Sequence, residues 1–521
     1  MFTFRNAPVT LACAMIACGT TDPEPPTAGA GGLDAGNSNV ADASVDDAAM
    51  FDAVPDGTGG EGTGGFEGGI ESGSDADAAP PSRGWLALVG GGSEGDIGDD
   101  TAWSADVYGW IVEKSGHGRV AILAAEPQSD FLSTYFTWLG AAEAVDVTIG
   151  TGAEAADPQR LATLAAADAI FIKGGDQARY LSAWQGSEVP IILSGAFEQG
   201  KVLAGTSAGA HVLGGVIYDA SNGSVRLDEA VRDAWNPYVT FTQGFLDVLP
   251  NVVLDTHFTQ RGRLARLAPM LARLLVDEAP STRLAIGLDD RTGLLIDPQA
   301  VGEVRGEGSV TVLRPTLSTV VSATPGAPVS VEHLGMNVFG DGYRVDLETG
   351  DILTHPLSAT SLTVGDTNTP ASTVTLDGSD ASTPSKGSVV VVGSSPYALV
   401  DGELTLESGE DLVPGFVMVS RCYGNAEMST IENRIGGVQW ALRSMGASVP
   451  FALFLDVGGI VEARTDGTLE ARPSTDASST MLLDGRALEE VATSPYAPRQ
   501  SVSLVGLELN LLAPGDTWTK P

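Results

Sequence analysis

Five short apolar runs between residues 85 and 205 alternate with segments that favour helices. Short, uninterrupted apolar runs are typical of strands that are buried on both faces. The predicted strands are Trp85–Val89, Arg119–Ala124, Val145–Ile149, Ala169–Ile172 and Lys201–Gly205, and the predicted helices cover 130–142 and 158–167. Strands that alternate with helices predict an α/β fold, with a parallel sheet and helices on both of its faces.

Glycine turns follow the first and the fourth of these strands. Gly90-Gly91-Gly92 comes directly after Val89, and Gly174-Gly175 lies just beyond Ile172. In sheets of this kind, ligands bind at the carboxyl ends of the strands. The two turns therefore mark the edge of the sheet where a functional site is expected.

The fifth strand runs into a G-x-S-x-G sequence, Gly205-Thr206-Ser207-Ala208-Gly209, and a predicted helix follows. This context is typical of a nucleophile elbow, in which small flanking residues let the chain turn tightly and expose the serine oxygen. The N–H group of Ala208 would then face a developing oxyanion. The alternative is a glycine-rich turn with a structural serine.

A serine nucleophile needs a base, and the chain has five histidines. His257 follows the apolar run that starts at Val252, where a side chain would project from the end of a strand. His211 lies four residues after Ser207 on the same predicted helix, and it is a poorer candidate. Arg261 and Arg263 follow His257; they would either hold a substrate carboxylate or balance charge on a solvated helix.

Taken together, these segments resemble the cyanophycinase and peptidase E family of serine peptidases, family S51, from about residue 84 to about residue 350. The matching segments, in order, are Gly90-Gly91-Gly92, Gly174-Gly175-Asp176-Gln177, Gly205 to Ala210, Asp255-Thr256-His257-Phe258 with Arg261 and Arg263, and Gly287-Leu288-Asp289-Asp290. The Gly-Gly-Asp-Gln and Asp-Thr-His-Phe segments favour the cyanophycinase branch. The resemblance implies a flavodoxin-like fold, related to class I amidotransferases, with no metal or organic cofactor.

The resemblance also implies roles for individual residues. Ser207 would be the nucleophile and His257 the general base. Asp290 would orient the histidine at a position that the family usually fills with glutamate, and neighbouring Asp289 is the alternative. The remaining implied groups are the oxyanion-hole amides of Gly174 or Gly175 and of Ala208, and the substrate contacts Gln177, Arg261 and Arg263.

The implied reaction is hydrolysis of an aspartyl peptide bond through an acyl-enzyme. In the cyanophycinase branch the substrate is multi-L-arginyl-poly-L-aspartate, released as β-Asp-Arg dipeptides. Two alternatives remain open. One is a peptidase that acts on another peptide containing aspartate, and the other is an inactive surface binding protein on the same fold.

The amino terminus has the pattern of an export signal. One basic residue, Arg5, precedes an apolar run from Ala7 to Ala17, and Met15-Ile16-Ala17-Cys18 resembles a bacterial lipobox. We therefore predict lipidation of Cys18, with an ordinary secretory signal as the alternative. The expected location is extracytoplasmic, either lipid-anchored to the outer membrane or cell surface, or secreted.

Acidic residues dominate the chain, with 67 Asp and Glu against 28 Lys and Arg and a net charge of −39. Thirteen of the acidic residues lie within 19–82, a stretch rich in Gly, Ala and Pro that contains no Lys or Arg. Such a composition cannot bury enough apolar surface to fold and predicts a disordered tether. The strong negative charge also argues against nucleic-acid binding.

The C-terminal part resembles the later part of the first folded unit. Residues 329–337 have a counterpart at 502–510, and the segment around His257 has one that places Cys422 opposite the histidine. We predict an accessory domain that is either β-rich or a degenerate partial copy without a nucleophile, and a homodimer is a further possibility. The predicted organisation is a signal peptide (1–18), a tether (19–83), a peptidase domain (84–356), a linker (357–386) and the accessory domain (387–521).

Overall fold

The structure is a computed structural model, and residues 77–521 belong to one compact unit of it. The described residues are 83–127, 129–246, 248–277, 284–364, 370, 373–377, 399–400, 403–404, 416–420, 445, 450–455, 459–472, 479–493 and 502–519. The signal peptide with Cys18 and nearly all of the tether lie outside these residues, so those predictions stay predictions. In the described part, no helix combines the length and the apolar character needed to cross a bilayer.

Strands outnumber helices in the described part of the chain. In chain order they are β1 (Trp85–Val89), β2 (Arg119–Ala124), β3 (Glu143–Thr148), β4 (Ala169–Ile172), β5 (Val202–Thr206), β6 (Val216–Tyr218), β7 (Phe241–Gln243), β8 (Val252–Thr256), β9 (Leu284–Leu288), β10 (Thr292–Ile296), β11 (Val301–Gly306), β12 (Val310–Ser322), β13 (Ser330–Phe339), β14 (Arg344–Asp346), β15 (Ile352–Thr354), β16 (Thr360–Ser361), β17 (Val374–Asp377), β18 (Leu399–Val400), β19 (Glu403–Leu404), β20 (Phe416–Ser420), β21 (Phe451–Leu455), β22 (Ile460–Ala463), β23 (Thr468–Arg472), β24 (Thr480–Asp484), β25 (Glu490–Thr493), β26 (Val502–Leu512) and β27 (Thr517–Thr519).

Helices are concentrated in the first half of the described chain, and several begin at side-chain caps. The helices are α1 (Trp103–Lys114), α2 (Phe131–Trp138), α3 (Pro158–Ala165), α4 (Gln177–Trp184), α5 (Glu188–Glu198), α6 (Ala208–His211), α7 (Leu227–Arg232) and α8 (Leu264–Val276), with short 3-10 helices at Glu154–Ala156 and Thr259–Arg261. Asp157, Asp176 and Ser187 each accept a backbone N–H two residues ahead, at the starts of α3, α4 and α5. These bonds satisfy donors that a helix start otherwise leaves unpaired.

The first sheet has the order β15-β14-β11-β10-β1-β5-β4-β2-β3. The run β3-β2-β4-β5 reproduces the 2-1-3-4 order of flavodoxin-like sheets, and the first strand of the chain occupies the fifth place. Leu86 and Leu88 of β1 pack into one core, whereas Ala87 and Val89 pack into another on the opposite face. The predicted α/β fold, with a parallel sheet between two layers, is confirmed.

A second large sheet contains the strand that precedes His257. Its main path is β20-β21-β24-β26-β13-β12-β9-β8-β6-β7. The sequence indicated a parallel sheet without indicating that β8 and β9 belong to a separate one, because such pairing is long-range and leaves no local pattern. The C-terminal region is β-rich, as predicted, and its strand β26 pairs with β13.

Two smaller sheets complete the described architecture. One has the order β17-β22-β23-β27, and the other is the pair β18-β19. The boundaries of the predicted peptidase and accessory domains stay predictions, although strands from both regions share the second sheet.

Candidate active site

Ser207 lies at a sharp turn between β5 and α6. Its backbone has φ 52° and ψ −120°, in a region that residues other than glycine rarely occupy, and its N–H donates to Val89 O at 2.9 Å. A Cβ atom on Gly205 would lie 2.3 Å from Gly209 O, and one on Gly209 would lie 2.1 Å from Ile172 O. The two glycines therefore allow the close backbone approach that a strained nucleophile elbow requires.

His257 follows β8 and faces the serine across the boundary between the two sheets. Its Nε2 lies 2.8 Å from Ser207 Oγ, within hydrogen-bond distance. The backbone N–H of His257 donates to Gly90 O at 2.9 Å and fixes the residue to the turn after β1. Both large sheets thus contribute one member of the pair.

Asp290 follows β9 and contacts the other side of the imidazole. Its Oδ1 accepts a hydrogen bond from His257 Nδ1. The backbone N–H of Asp290 donates to Gln260 Oε1 at 2.9 Å, which ties the loop after β9 to the turn after β8. Ser207, His257 and Asp290 therefore form a continuous hydrogen-bonded chain.

Asp289 is directed away from the histidine and into the interior. Its Oδ1 accepts the N–H of Thr259 at 2.9 Å, and its Oδ2 accepts Ser309 N–H at 3.0 Å and Ser309 Oγ–H at 2.9 Å. Burial raises the pKa of this carboxyl to about 6, against the opposing effect of those hydrogen bonds. Of the two neighbouring aspartates, the geometry places Asp290 at the imidazole and gives Asp289 a positioning role.

The His257 side chain is largely buried, and this burial sets its charge state. Burial lowers the pKa of the imidazole below its usual value, and the hydrogen bond and charge of Asp290 oppose the shift. A lowered pKa keeps the ring neutral at neutral pH. A neutral Nε2 that faces a serine hydroxyl can accept its proton.

Glycines at 90–92 make room for this arrangement. A Cβ atom on Gly91, whose φ is +115°, would lie 2.2 Å from Cε1 and 2.8 Å from Nε2 of His257. One on Gly92 would lie 2.8 Å from Cγ of Arg291. The turn predicted from the sequence therefore allows the imidazole to lie against the backbone.

The residues implied for the oxyanion hole lie around the serine. A Cβ atom on Gly174 would lie 3.3 Å from that of Ser207, and Gly175 and Ala208 line the same cavity as Ser207. Ala208 is the first residue of α6, so its N–H lies at a helix start. This cluster of small residues leaves backbone close to the place where a carbonyl oxygen would sit.

A cavity of about 310 Å³ opens at the serine. Its volume is at the lower end of the range for small-molecule sites. Its lining residues are Gly175, Asp176, Gln177, Ser207, Ala208, His211, Ala220, Gly223, Ser224, Thr256, His257, Arg261, Arg263 and Arg266. Three arginines against Asp176 give the lining an excess of positive charge within a strongly acidic protein.

Two of these arginines are held by a buried carboxylate behind the cavity. Arg263 Nη1 donates to Asp255 Oδ1 at 3.0 Å, and Arg266 donates to both oxygens of Asp255 at 2.6 and 2.7 Å. Burial raises the pKa of Asp255, but the two guanidinium groups hold it well below its usual range. Burial, together with the charge of Arg266, lowers the pKa of Arg263 to about 9, which still leaves it protonated at neutral pH.

The remaining predicted contacts also line the cavity. Gln177 begins α4, and its Nε2 donates to Tyr218 O at 3.3 Å. Arg261 ends the short 3-10 helix that follows His257. Gln177, Arg261 and Arg263 therefore border one cavity, as a shared role in substrate binding requires.

His211 is a neutral neighbour rather than a base for Ser207. Its Nε2 lies 3.6 Å from Asp255 Oδ1, and burial lowers its pKa to about 3. Among the described residues, no hydrogen-bond partner meets its buried Nδ1. The described part of the chain also contains no cluster of three or more side chains suited to a metal ion.

Sequence reasoning missed two groups that support the site. Gln260 had no signal, because a single glutamine in a loop has no pattern. The signal for Asp255 was weak, because Arg263 and Arg266, which it holds, lie 8 and 11 residues further along the chain.

Comparisons with known proteins identify the family. The family model described as peptidase family S51 matches residues 143–302. A cyanophycinase from Synechococcus elongatus is 31% identical over 42% of this chain, and the chain spans 64% of that protein's length. A cyanophycinase from Trichormus variabilis is also 31% identical, over 42% of this chain and 70% of its own length. A peptidase structure from an acI-B1 actinobacterium aligns with 51% of this chain and 97% of its own, at 18% identity and a TM-score of 0.37. The identity and coverage of the relatives, with the family match over the central residues, show that the chain belongs to peptidase family S51.

Proposed function

We propose that the chain is a serine peptidase that hydrolyses aspartyl peptide bonds. The observation that carries the proposal is the 2.8 Å contact between Ser207 Oγ and His257 Nε2, with Asp290 bonded to the other ring nitrogen. A nucleophile within reach of a base, and a base oriented by a third group, is the arrangement that activates a serine.

The proposed reaction is acyl transfer to the serine and then to water. Ser207 Oγ attacks the scissile carbonyl while its proton passes to His257 Nε2, and Asp290 stabilises the imidazolium that forms. The N–H of Ala208 and an amide of Gly174 or Gly175 receive the negative oxygen. The imidazolium then protonates the leaving amine, and a water that is deprotonated by the same histidine releases the acyl group.

The cavity lining supports a substrate with a carboxylate next to the scissile bond. Arg261, Arg263 and Arg266 line the cavity, and guanidinium groups bind carboxylates with well-defined geometry. Because Asp255 already holds two of these groups, they are positioned before a ligand arrives. In an ordinary aspartyl peptide the aspartyl side chain would supply the matching carboxylate, whereas in cyanophycin, whose aspartyl side chain is joined to arginine, the carboxylate of the arginine would.

We further propose cyanophycin as the substrate, with β-Asp-Arg dipeptides as the products. Two relatives at 31% identity are cyanophycinases. A net charge of −39 would also attract a polymer that carries arginine side chains.

We also propose that the protein acts outside the cytoplasm. The support is the segment Met15–Cys18 behind an apolar run, followed by an acidic stretch long enough to act as a tether. Two acyl chains on Cys18 would give stable membrane anchoring, whereas one chain would be marginal.

The test is hydrolysis by the purified full-length chain of insoluble cyanophycin and, separately, of aspartyl dipeptides. Ser207→Ala removes the proposed nucleophile, and Ser133→Ala on α2, outside the cavity, is the matched control. Clearing of the polymer by wild type and control, with none by Ser207→Ala, is the expected result. Dipeptide cleavage without clearing would replace cyanophycin by another aspartyl peptide. Failure to cleave either substrate, with the polymer still bound, would instead indicate a binding protein.

A further inference from the structure

Eight strands of the second large sheet form two halves with matching strand order. From β8 the path is β8-β9-β12-β13, and from β20 it is β20-β21-β24-β26, with β13 and β26 paired at the centre. The first pair of each half is parallel, and the next two pairs are antiparallel. Each half therefore repeats the other. The paired strands β13 and β26 join the two halves at the centre, and their contact is named the seam.

The pairing of residues at the seam has two-fold symmetry. Adding 173 to the number of a residue in β13 gives its counterpart in β26, so the counterparts of the pair Val331–Leu511 are Leu504 and Val338, which also pair with each other. The pair Leu334–Leu509 is matched in the same way by Met336–Leu507, and Gly335 opposite Glu508 lies on the axis. A self-complementary contact of this kind is the mark of an isologous two-fold interface.

Side-chain hydrogen bonds at the seam follow the same exchange. Gly506 N–H donates to Asn337 Oδ1 at 2.8 Å, and His333 N–H donates to Asn510 Oδ1 at 3.0 Å. The two donors are 173 positions apart and both have positive φ, 57° for His333 and 92° for Gly506. Each half therefore contains one residue with positive φ whose N–H donates to an asparagine side chain of the other half.

Strands away from the seam also correspond, and within each strand the residue numbers differ from those of the counterpart by a constant amount. Val252 pairs with Leu284 as Phe416 pairs with Phe451, and Val310 pairs with Phe339 as Thr480 pairs with Leu512. The run β1-β10-β11-β14 of the first sheet is likewise repeated by β17-β22-β23-β27, and all of these pairs are antiparallel.

The copy retains the strand frame but has a much shorter insertion. Residues 90–251 separate β1 from β8 and include Ser207, whereas only 378–415 separate β17 from β20. In this register Thr256 corresponds to Ser420, and Arg421 follows Ser420 in the sequence. The predicted match between His257 and Cys422 lies outside the described residues.

We propose that the C-terminal strands are a truncated second copy of the peptidase unit, and that this copy takes the place of a second subunit across β13. Without β26, β13 would be a long edge strand that presents unpaired backbone groups to another chain. The copy instead buries Leu334, Met336 and Val338, each 1% exposed or less. The full chain is therefore a monomer with one Ser207 site, in place of the homodimer considered from the sequence.

The first test is the mass of the wild-type full-length chain in solution, measured by sedimentation equilibrium from low to high micromolar concentration. We expect the mass of one chain throughout, because the symmetric surface of β13 is already occupied. A stable dimer would overturn the proposal, since the copy would not have replaced a second subunit. The measurement needs no enzyme activity, so it is independent of the proposed function.

The second test locates the two sides of the seam in one chain. Leu334→Cys with Leu509→Cys, and the symmetric pair Met336→Cys with Leu507→Cys, are placed in a background in which the three native cysteines are serine. Directly opposed residues lie within the Cα range that a disulfide needs. Leu334→Cys with Leu504→Cys, which are not opposed, is the control.

We expect both opposed pairs to form a crosslink within one chain, seen as faster migration without reductant, and the control pair to form none. Crosslinked dimers would show that β26 comes from another chain. A crosslink in only one of the two opposed pairs would show that the symmetric register is wrong. Either result would overturn the proposal, and a variant that does not fold leaves the mass measurement to decide.

Discussion

The two halves of the second sheet share a strand frame but differ in chemistry. In the first half, β8 leads to His257, which contacts Ser207 from the other large sheet, and β9 leads to Asp290, which contacts the other side of the imidazole. The second half repeats the strands, yet Arg421 follows β20 and the segment that would supply a serine is short. The shared strands are therefore not sufficient for an active site. The site also depends on the residues that follow β8 and β9 and on the long insertion after β1.

The largest loss of activity is expected from a change at Asp290, which contacts the imidazole of His257. Asp290→Asn should lower kcat by about 10⁴-fold, because a neutral amide no longer holds the correct tautomer or stabilises the imidazolium. Asp289→Asn is the matched control, since this carboxyl contacts Thr259 and Ser309 instead. Steady-state kinetics of both variants decide the assignment. A larger loss of kcat in Asp289→Asn would reverse it.

A smaller loss is expected from crowding the histidine. Gly91→Ala places a methyl group where Cε1 of His257 lies 2.2 Å away, and displacing a catalytic group by about 1 Å can cost about 100-fold in rate. Gly98→Ala is the control for backbone strain, because Gly98 also has positive φ, +99°, but has open space around its Cβ position. Kinetics that are equally affected by both substitutions would mean that strain, and not the contact with the ring, causes the loss.

The pH dependence of kcat/KM should show the burial of the base. The folded pKa of His257 lies below 6.5, so the neutral, active form persists below pH 6.5 and is lost only as the pH falls through that lowered pKa. Below the pKa, the rate should fall about 10-fold per pH unit. Rates at constant ionic strength from pH 4 to 8 test this, and an acidic limb centred above 6.5 would contradict it.

The smallest effect concerns the seam that joins the two halves. Asn337→Ala and Asn510→Ala each leave a backbone N–H without its acceptor, which should lower the free energy of unfolding by about 1–3 kcal/mol. Asn222→Ala is the control, because Asn222 is exposed and donates to Pro237 O; this substitution should change the free energy of unfolding by less than about 0.5 kcal/mol. Denaturant titrations compare the three variants. Seam variants as stable as the control would mean that these two bonds do not hold the halves together.

Local patterns in the sequence predicted much of the first sheet and of the site. The strand runs, the glycine turns and the elbow at Ser207 are short segments whose residue types determine their structure. The choice between Asp289 and Asp290 depended on which way adjacent side chains face, and this is set by Thr259 and Ser309 from distant segments. The second sheet and its seam depend on pairing between residues about 173 positions apart, which no local pattern contains.

The central claim is that the first half of the chain, with the long insertion between β1 and β8, contains an activated serine, Ser207. An organophosphonate that reacts covalently with activated serines tests this without knowledge of the substrate, and mass spectrometry of the labelled full-length protein counts and locates the label. We predict one label per chain, on Ser207, absent in Ser207→Ala and strongly slowed in His257→Ala. Labelling of a different residue, or no labelling of the folded wild-type chain, would contradict the account.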